Sequence, residues 1–300
     1  MRIAVTGSHG LIGAALVAEL ARQGHEVVAV VRSSAGPGDI AWDPQAGQLD
    51  ATALAGVDAA VHLGGQPIAE KRWTADQKRR ILESRVASTD LLSRRLAEAQ
   101  PRPSVLISGS AIGYYGDRGD DVVDERSPAG AGFLSEVCQR WEEATAPAEA
   151  AGIRVVHIRT GIVLSADGGA LKKQLPLFRV GMGGRLGTGE QYQSWISIHD
   201  EVGGIIHALQ NESLSGALNL TAPNPVTNAQ FTKTLGSVLG RPTLVAAPKF
   251  GLSAVLGHEL VTEVLLAGQR VMPRKLLDSG YKFAFSELEP ALRQLLEKAA

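Results

Sequence analysis

The stretch Val5-Thr6-Gly7-Ser8-His9-Gly10-Leu11-Ile12-Gly13 decides how the rest of the chain is read. It follows the apolar run Ile3, Ala4, Val5 and opens a Pro-free amphipathic segment over residues 11–23. That pattern is a strand, a tight turn and a helix. Glycine lets the backbone turn sharply and approach a pyrophosphate, while a helix start offers free N–H donors and a positive dipole end. The glycine nearest the helix also permits close helix–sheet packing. Residues 7–13 therefore read as a dinucleotide-phosphate loop, with Gly7, Gly10, Leu11, Ile12 and Gly13 as the candidates to hold the pyrophosphate.

Working outward, the β-branched run at 26–31 suits a buried parallel strand, and a short strand over 40–42 follows the Pro/Gly-rich loop. Residues 58–63 make the next buried strand, ending in Gly64-Gly65. A long helix spans 73–99, stopped by Pro101 and Pro103. Val105, Leu106 and Ile107 form a strand running into Ser108-Gly109-Ser110, and residues 133–151 are expected to be helical before a strand at 154–159. Strands and helices thus alternate to about Arg159, the signature of a doubly wound parallel sheet. Right-handed crossovers align the strand C-termini along one crevice. Beyond Arg159 glycines cluster between 168 and 189. A strand is expected at 194–198, a helix at 199–210, a strand at 217–220, and a helix at 227–239 capped by Asn228. Residues 242–247 are strand-like, and 251–268 and 286–298 are helical. The expected division is a dinucleotide-binding domain over 1–165, regaining a helix or strand from 199–220, and a smaller α+β cap domain over 166–300.

Composition narrows the classes. Thirty basic residues balance 31 acidic ones, so neither nucleic acid nor an anionic membrane is the default partner. The single cysteine, Cys138, excludes an internal disulfide and a cysteine metal cluster, and its helical surroundings suit an inert buried thiol. No apolar run approaches a membrane span, and the first strand begins too early for a signal peptide. The expectation is a cytoplasmic monomer or homodimer that binds no metal.

The residue after the second strand selects the cofactor. An acid there accepts from both ribose hydroxyls, whereas an arginine pairs with a 2′-phosphate. Here the strand ends Val30-Val31-Arg32-Ser33, and the nearest acid, Asp39, comes only after the Pro/Gly loop. Arg32 and Ser33 therefore favour NADP over NAD.

Thr6-Gly7-x-x-Gly10-x-x-Gly13, the strand 58–63 and Ser110-Ala-Ile-Gly-Tyr-Tyr-Gly116 together resemble the extended short-chain dehydrogenase/reductases. Lys71-Arg72-Trp73, Ser84-Arg85, Gly132-Phe-Leu-Ser-Glu-Val-Cys138, Trp195-Ile-Ser-Ile-His199-Asp200, Asn228-Ala-Gln-Phe231 and Gly268-Gln269-Arg270-Val-Met-Pro273 are similar to an atypical, epimerase-like branch. The resemblance spans essentially the whole chain. It implies a Rossmann-type NADP-binding domain and a family-typical C-terminal segment at about 250–298. It further implies that Leu63 and Gly64 line a cofactor ribose, that Arg85 reaches the cofactor, and that Gly161 and Ile162 approach the nicotinamide.

Redox members of this superfamily carry a Tyr and, four residues on, a Lys on the same helix face; the lysine lowers the tyrosine's pKa. This chain has tyrosines at 114, 115, 192 and 281, followed at that spacing by Arg118, Gly119, Ile196 and Phe285. No lysine occurs between Lys78 and Lys172. Ser110, at the position of the superfamily's substrate serine, and Tyr114 remain as catalytic candidates, with Tyr114 and Arg118 a possible imitation of the pair. Glu136 and His199 are secondary candidates for a base; a solvated helix face and a helix start are their competing structural roles. Two functions follow: an NADP-dependent epimerase-like oxidoreductase acting on a nucleotide sugar or small carbonyl compound, or a non-catalytic NADP(H) sensor or regulatory protein, for example in cell division.

Overall fold

The alternation of apolar runs and amphipathic segments folds, in a computed structural model describing residues 1–32 and 35–297, into an α/β sheet of eight strands. The strands are β1 (Arg2–Thr6), β2 (Glu26–Val31), β3 (Ile40–Asp43), β4 (Gln48–Leu49), β5 (Ala59–His62), β6 (Val105–Ala111), Arg154–Thr160 and Gly216–Leu220. From one edge the order is Gly216–Leu220, Arg154–Thr160, β6, β5, β1, β2, β3, β4. Every pairing is parallel except the β3–β4 hairpin at the far edge. The chain winds outward from β1 through β2 to β3, then returns to β5 on the other side of β1. That reversal makes the C-terminal ends of β1 and β5 the switch point, where open α/β sheets leave a crevice.

Both faces of the sheet are covered. Helix α1 (Leu11–Arg22) and the helix Ile198–Gln210 bury Leu16, Leu20, Val202 and Ile205 on one side. Helix α2 (Ala75–Glu98) buries Leu91, Leu92 and Leu96 on the other. Helix α3 (Phe133–Glu143) packs beside it, with Val137, Cys138 and Trp141 buried. The strand Gly216–Leu220 lies far along the chain yet pairs residue for residue with Val156–Thr160.

Four local expectations are corrected. The helix expected over 133–151 breaks after Glu143 and resumes as Ala146–Ala150. Pro147 has no N–H to give the preceding turn, and Thr145 Oγ1 instead donates to the Glu142 carbonyl at 2.7 Å. The cap of helix Asn228–Leu239 is Thr227, in a reciprocal capping box with Gln230, while Asn228 Oδ1 accepts from the Leu186 N–H. Residues 242–247 form no strand. Ala247 makes one isolated bridge to Leu186, and Leu244 and Val245 point to solvent between Pro242 and Pro248. The helical stretch at 251–268 is three pieces, Lys249–Leu256, His258–Leu260 and a wider turn Val261–Leu265, broken at Gly257 with φ +94°.

Candidate functional site

The glycine loop sits at the switch point, and Gly7 and Gly13 are sterically required there. Gly7 has φ +69°, and a Cβ on it would stand 2.9 Å from the Leu63 carbonyl carbon and 3.1 Å from Gly64 N. A Cβ on Gly13 would stand 2.1 Å from Gly7 O. The loop after β1 is thereby pressed against the loop after β5. Gly10, the residue before α1, brings no side-chain cap, and the first turn holds no acid. The N–H groups of this helix start are left for an anion, which fits a dinucleotide pyrophosphate.

A buried polar staple fixes these two loops. Thr6 Oγ1 lies 2.6 Å from His62 Nδ1 and accepts from the Leu63 N–H, while His62 Nε2 lies 3.1 Å from Ser88 Oγ on α2. Burial, with the nearby charge of Arg85, pulls the His62 imidazole down to about 4, so it stays neutral. Its role is to tie β1, β5 and α2 together. Arg32 stands exposed at the end of β2, as the second-strand rule requires; Ser33 lies outside the described residues.

Two cavities adjoin the strand ends. One, of about 1190 Å³, runs from His9, Gly10 and Leu11 between α1 and the helix Ile198–Gln210, reaching His199 and Tyr281. The other, of about 190 Å³, lies among Arg85, Trp141, Gly161, Ile162, Tyr192 and Glu263. Gly161 and Ile162 are pinned by N–H bonds to Leu220 O and Ser194 O, and a Cβ on Gly161 would stand 2.4 Å from Ser194 O. Arg85 approaches Gly65 and stacks 5.0 Å over the Trp141 ring. Glu263, from the turn after Gly257, accepts from the N–H groups of Phe133 and Leu134 at 3.0 and 2.9 Å. It does from 130 residues away what Gly132, with no side chain, cannot do for α3.

Ser110 and Tyr114 do not line this smaller cavity. Ser110 Oγ donates to Glu142 Oε1 at 2.7 Å. The same carboxylate takes Nε and Nη2 of Arg159, each at 2.8 Å, and the Arg159 guanidinium lies 3.4 Å over the Tyr114 ring. Arg159 Nη1 also donates to Tyr115 Oη, whose hydroxyl donates to Asn219 Oδ1. Ser110 and Tyr114 therefore belong to a buried ion-pair network joining β6, α3, Arg154–Thr160 and Gly216–Leu220. Tyr114 and Arg118 cannot imitate a helical pair. The helical turn ends at Tyr115, and Arg118 donates to the carbonyls of Tyr115, Pro128 and Ala129. Glu136 is exposed near Arg140. His199 opens its helix, beside Asp200, which accepts from the N–H groups of Ala284 and Phe285. Cys138 lines the smaller cavity, its thiol pushed up to about 11 by burial.

Glu142, Arg159, Glu201 and Glu263 were not singled out from sequence. For Arg159 a signal existed: a charge ending the apolar strand Arg154–Thr160 needs a buried partner. Glu201 is fully buried, accepts from Thr160 Oγ1 at 2.8 Å, and leaves Oε2 without a partner. Burial pushes its carboxyl up to about 8.

A doubly wound sheet with a bare glycine-rich helix start at its switch point defines a dinucleotide-binding protein of the Rossmann class. Within that class, the chain belongs to the NAD dependent epimerase/dehydratase family, whose model matches residues 3–220; residues 247–295 match a domain of unknown function, DUF1731. An epimerase family protein of Mycobacterium leprae is 44% identical over 97% of this chain and 94% of its own length. An Arabidopsis thaliana relative, described as an SDR39U1 homologue and chloroplastic, is 39% identical over 99% of this chain and 87% of its own. The crystal structure of human epimerase family protein SDR39U1 (isoform 2) with NADPH superposes with a TM-score of 0.92 at 37% identity, covering 99% of both chains. These relatives support the atypical extended short-chain dehydrogenase/reductase reading of the sequence.

Proposed function

We propose that the chain is an NADP(H)-dependent, epimerase-like oxidoreductase acting on a small carbonyl compound. The observation that carries this is the bare start of α1 pressed against Leu63 and Gly64 at the switch point, with Arg32 at the end of β2. In this reading residues 1–165, joined by 198–220, hold the dinucleotide, and the rest of 166–300 forms the cap. The backbone at Gly7, Gly10, Leu11, Ile12 and Gly13 takes the pyrophosphate. Arg32 and Ser33 take the 2′-phosphate, Leu63 and Gly64 line the ribose, and Gly161 and Ile162 border the nicotinamide. When bound, the cofactor supplies the hydride. Ile112, Leu134 and Val137 give the cavity apolar walls. A volume of about 190 Å³ favours a small substrate over a nucleotide sugar. The NADPH in the human SDR39U1 structure supports the choice of cofactor.

The test is to titrate NADPH and NADH, then follow NADPH oxidation against a panel of carbonyl compounds. Preferential NADPH binding with turnover of at least one compound is expected. A second reading, a non-catalytic NADP(H) sensor or regulatory protein, draws support from α3, which carries no tyrosine or lysine, and from the engagement of Ser110 by Glu142. Tight NADPH binding without turnover of any compound would favour it.

A further inference from the structure

We propose that the smaller cavity binds a small monocarboxylate, clamped by the guanidinium of Arg85 in place of the cofactor contact that the family resemblance implies for it. This rests on the NADP(H) reading above and names the substrate class of the same site. Arg85 leaves the middle of α2 and turns into the cavity, where its only protein hydrogen bond among the described residues runs from Nη1 to the Ile81 carbonyl of its own helix. Among the described residues no carboxylate forms an ion pair with it, and the Cys138 thiol lines the same cavity. By contrast, Arg159, near the end of the strand Arg154–Thr160, is fully engaged by Glu142 and Tyr115. A half-buried guanidinium on the cavity wall, with four N–H donors free of protein partners among the described residues, is open to an anion that enters the cavity.

The surroundings fix what that anion is. The Trp141 ring lies 5.0 Å beneath the guanidinium and Gly65 bounds it, so its fork is held in one plane. A planar fork matches a carboxylate with two parallel hydrogen bonds. Glu263, the one carboxylate lining the cavity, is already held by the Phe133 and Leu134 N–H groups and does not reach Arg85. The lining therefore carries one guanidinium and one carboxylate; backbone donors meet the carboxylate, while the guanidinium, with its single bond to Ile81, is left to meet one negative group. Its remaining walls include Ile68, Ile112, Leu134, Val137 and Leu265, which accept a short apolar body. Tyr192 and Gln193 also line the cavity, and their side chains make no hydrogen bond among the described residues that would compete for a ligand's oxygen. A diphosphate would bring more negative charge than Arg85 alone offsets, and a neutral sugar would accept its hydrogen bonds without balancing its charge. Burial lowers Arg85 to about 10, so it remains charged at neutral pH.

The experiment uses the full chain saturated with NADP⁺, titrated calorimetrically with 4-methyl-2-oxopentanoate and benzoate and with their methyl esters. The acids are expected to bind about tenfold or more tightly than their esters, the loss of one charged hydrogen-bonded pair. Arg85→Met is expected to weaken acid binding by a similar factor while leaving NADPH affinity within about threefold, and Arg85→Lys to recover part of it. Equal binding of acid and ester, or no binding of either acid, overturns the proposal without recourse to any variant. A tenfold loss of NADPH affinity in Arg85→Met would place the guanidinium on the cofactor and also overturns it, with the NADP(H) reading intact. Failure of the unmodified protein to bind NADP⁺ or NADPH at all would instead overturn the parent reading.

Discussion

Replacing Glu201 by glutamine should remove most of a pH dependence that the fold builds into its own stability. The carboxyl is fully buried on the helix Ile198–Gln210, holds one hydrogen bond from Thr160, and keeps its second oxygen unpartnered. Burial raises it from 4.5 to about 8, the Thr160 bond pulling weakly the other way. Between those values the folded chain keeps a proton that the unfolded chain has released. Stability from this group is therefore complete below about pH 4.5, falls as pH rises, and levels off above about pH 8. Integrating the linkage relation over that window gives a loss on the order of 3 kcal/mol by pH 7 and at most about 5 kcal/mol by pH 9. Glutamine keeps the shape and cannot ionise. Urea unfolding of both proteins at pH 5, 7 and 9 reads the difference: similar stability at pH 5, and Glu201→Gln progressively the more stable above it. Parallel stability–pH profiles for the two proteins would refute the reasoning, because they would mean that Glu201 ionises as readily folded as unfolded.

Arg32→Ala is expected to lower NADPH affinity by about tenfold or more with little change for NADH, measured by calorimetry; equal losses would remove Arg32 from the 2′-phosphate. Ser110→Ala deletes the hydroxyl on Glu142 but leaves the bidentate Arg159 pair, so it should cost about 0.5–1.5 kcal/mol in denaturant unfolding with NADPH affinity unchanged. Lost turnover at unchanged stability would instead put that hydroxyl on the substrate. Glu263→Gln weakens the long-range cap of α3 by about 1–2 kcal/mol and should speed hydrogen exchange at Phe133, Leu134 and their neighbours. Unchanged protection there would show that the carboxylate does not hold the helix start.

What could be read in advance was what local pattern encodes. The glycine loop, the β-branched run at 26–31 and the alternation up to Arg159 each follow from spacing within a dozen or so residues, and together they specify the parallel sheet and its switch point. Where the reading slipped, a local feature was outweighed. Pro147 interrupts a stretch otherwise rich in helix formers, and Thr227 caps before Asn228 because Gln230 completes its capping box. Cavity chemistry was harder to see because it is made by residues distant in sequence. Glu263 meets Phe133 across 130 positions, and Glu142 meets Arg159 only once α3 lies against the sheet. Ser110 occupies the strand end that the family resemblance indicated, but its hydroxyl faces Glu142, a partner that no spacing rule identifies.

The most direct examination of the central claim is amide hydrogen exchange with and without NADPH. If the switch-point cleft holds the dinucleotide, exchange should slow at residues 10–13 and at Leu63 and Gly64, where N–H groups and backbone line the loop. An identical exchange pattern at those positions in the presence of saturating NADPH would contradict the account.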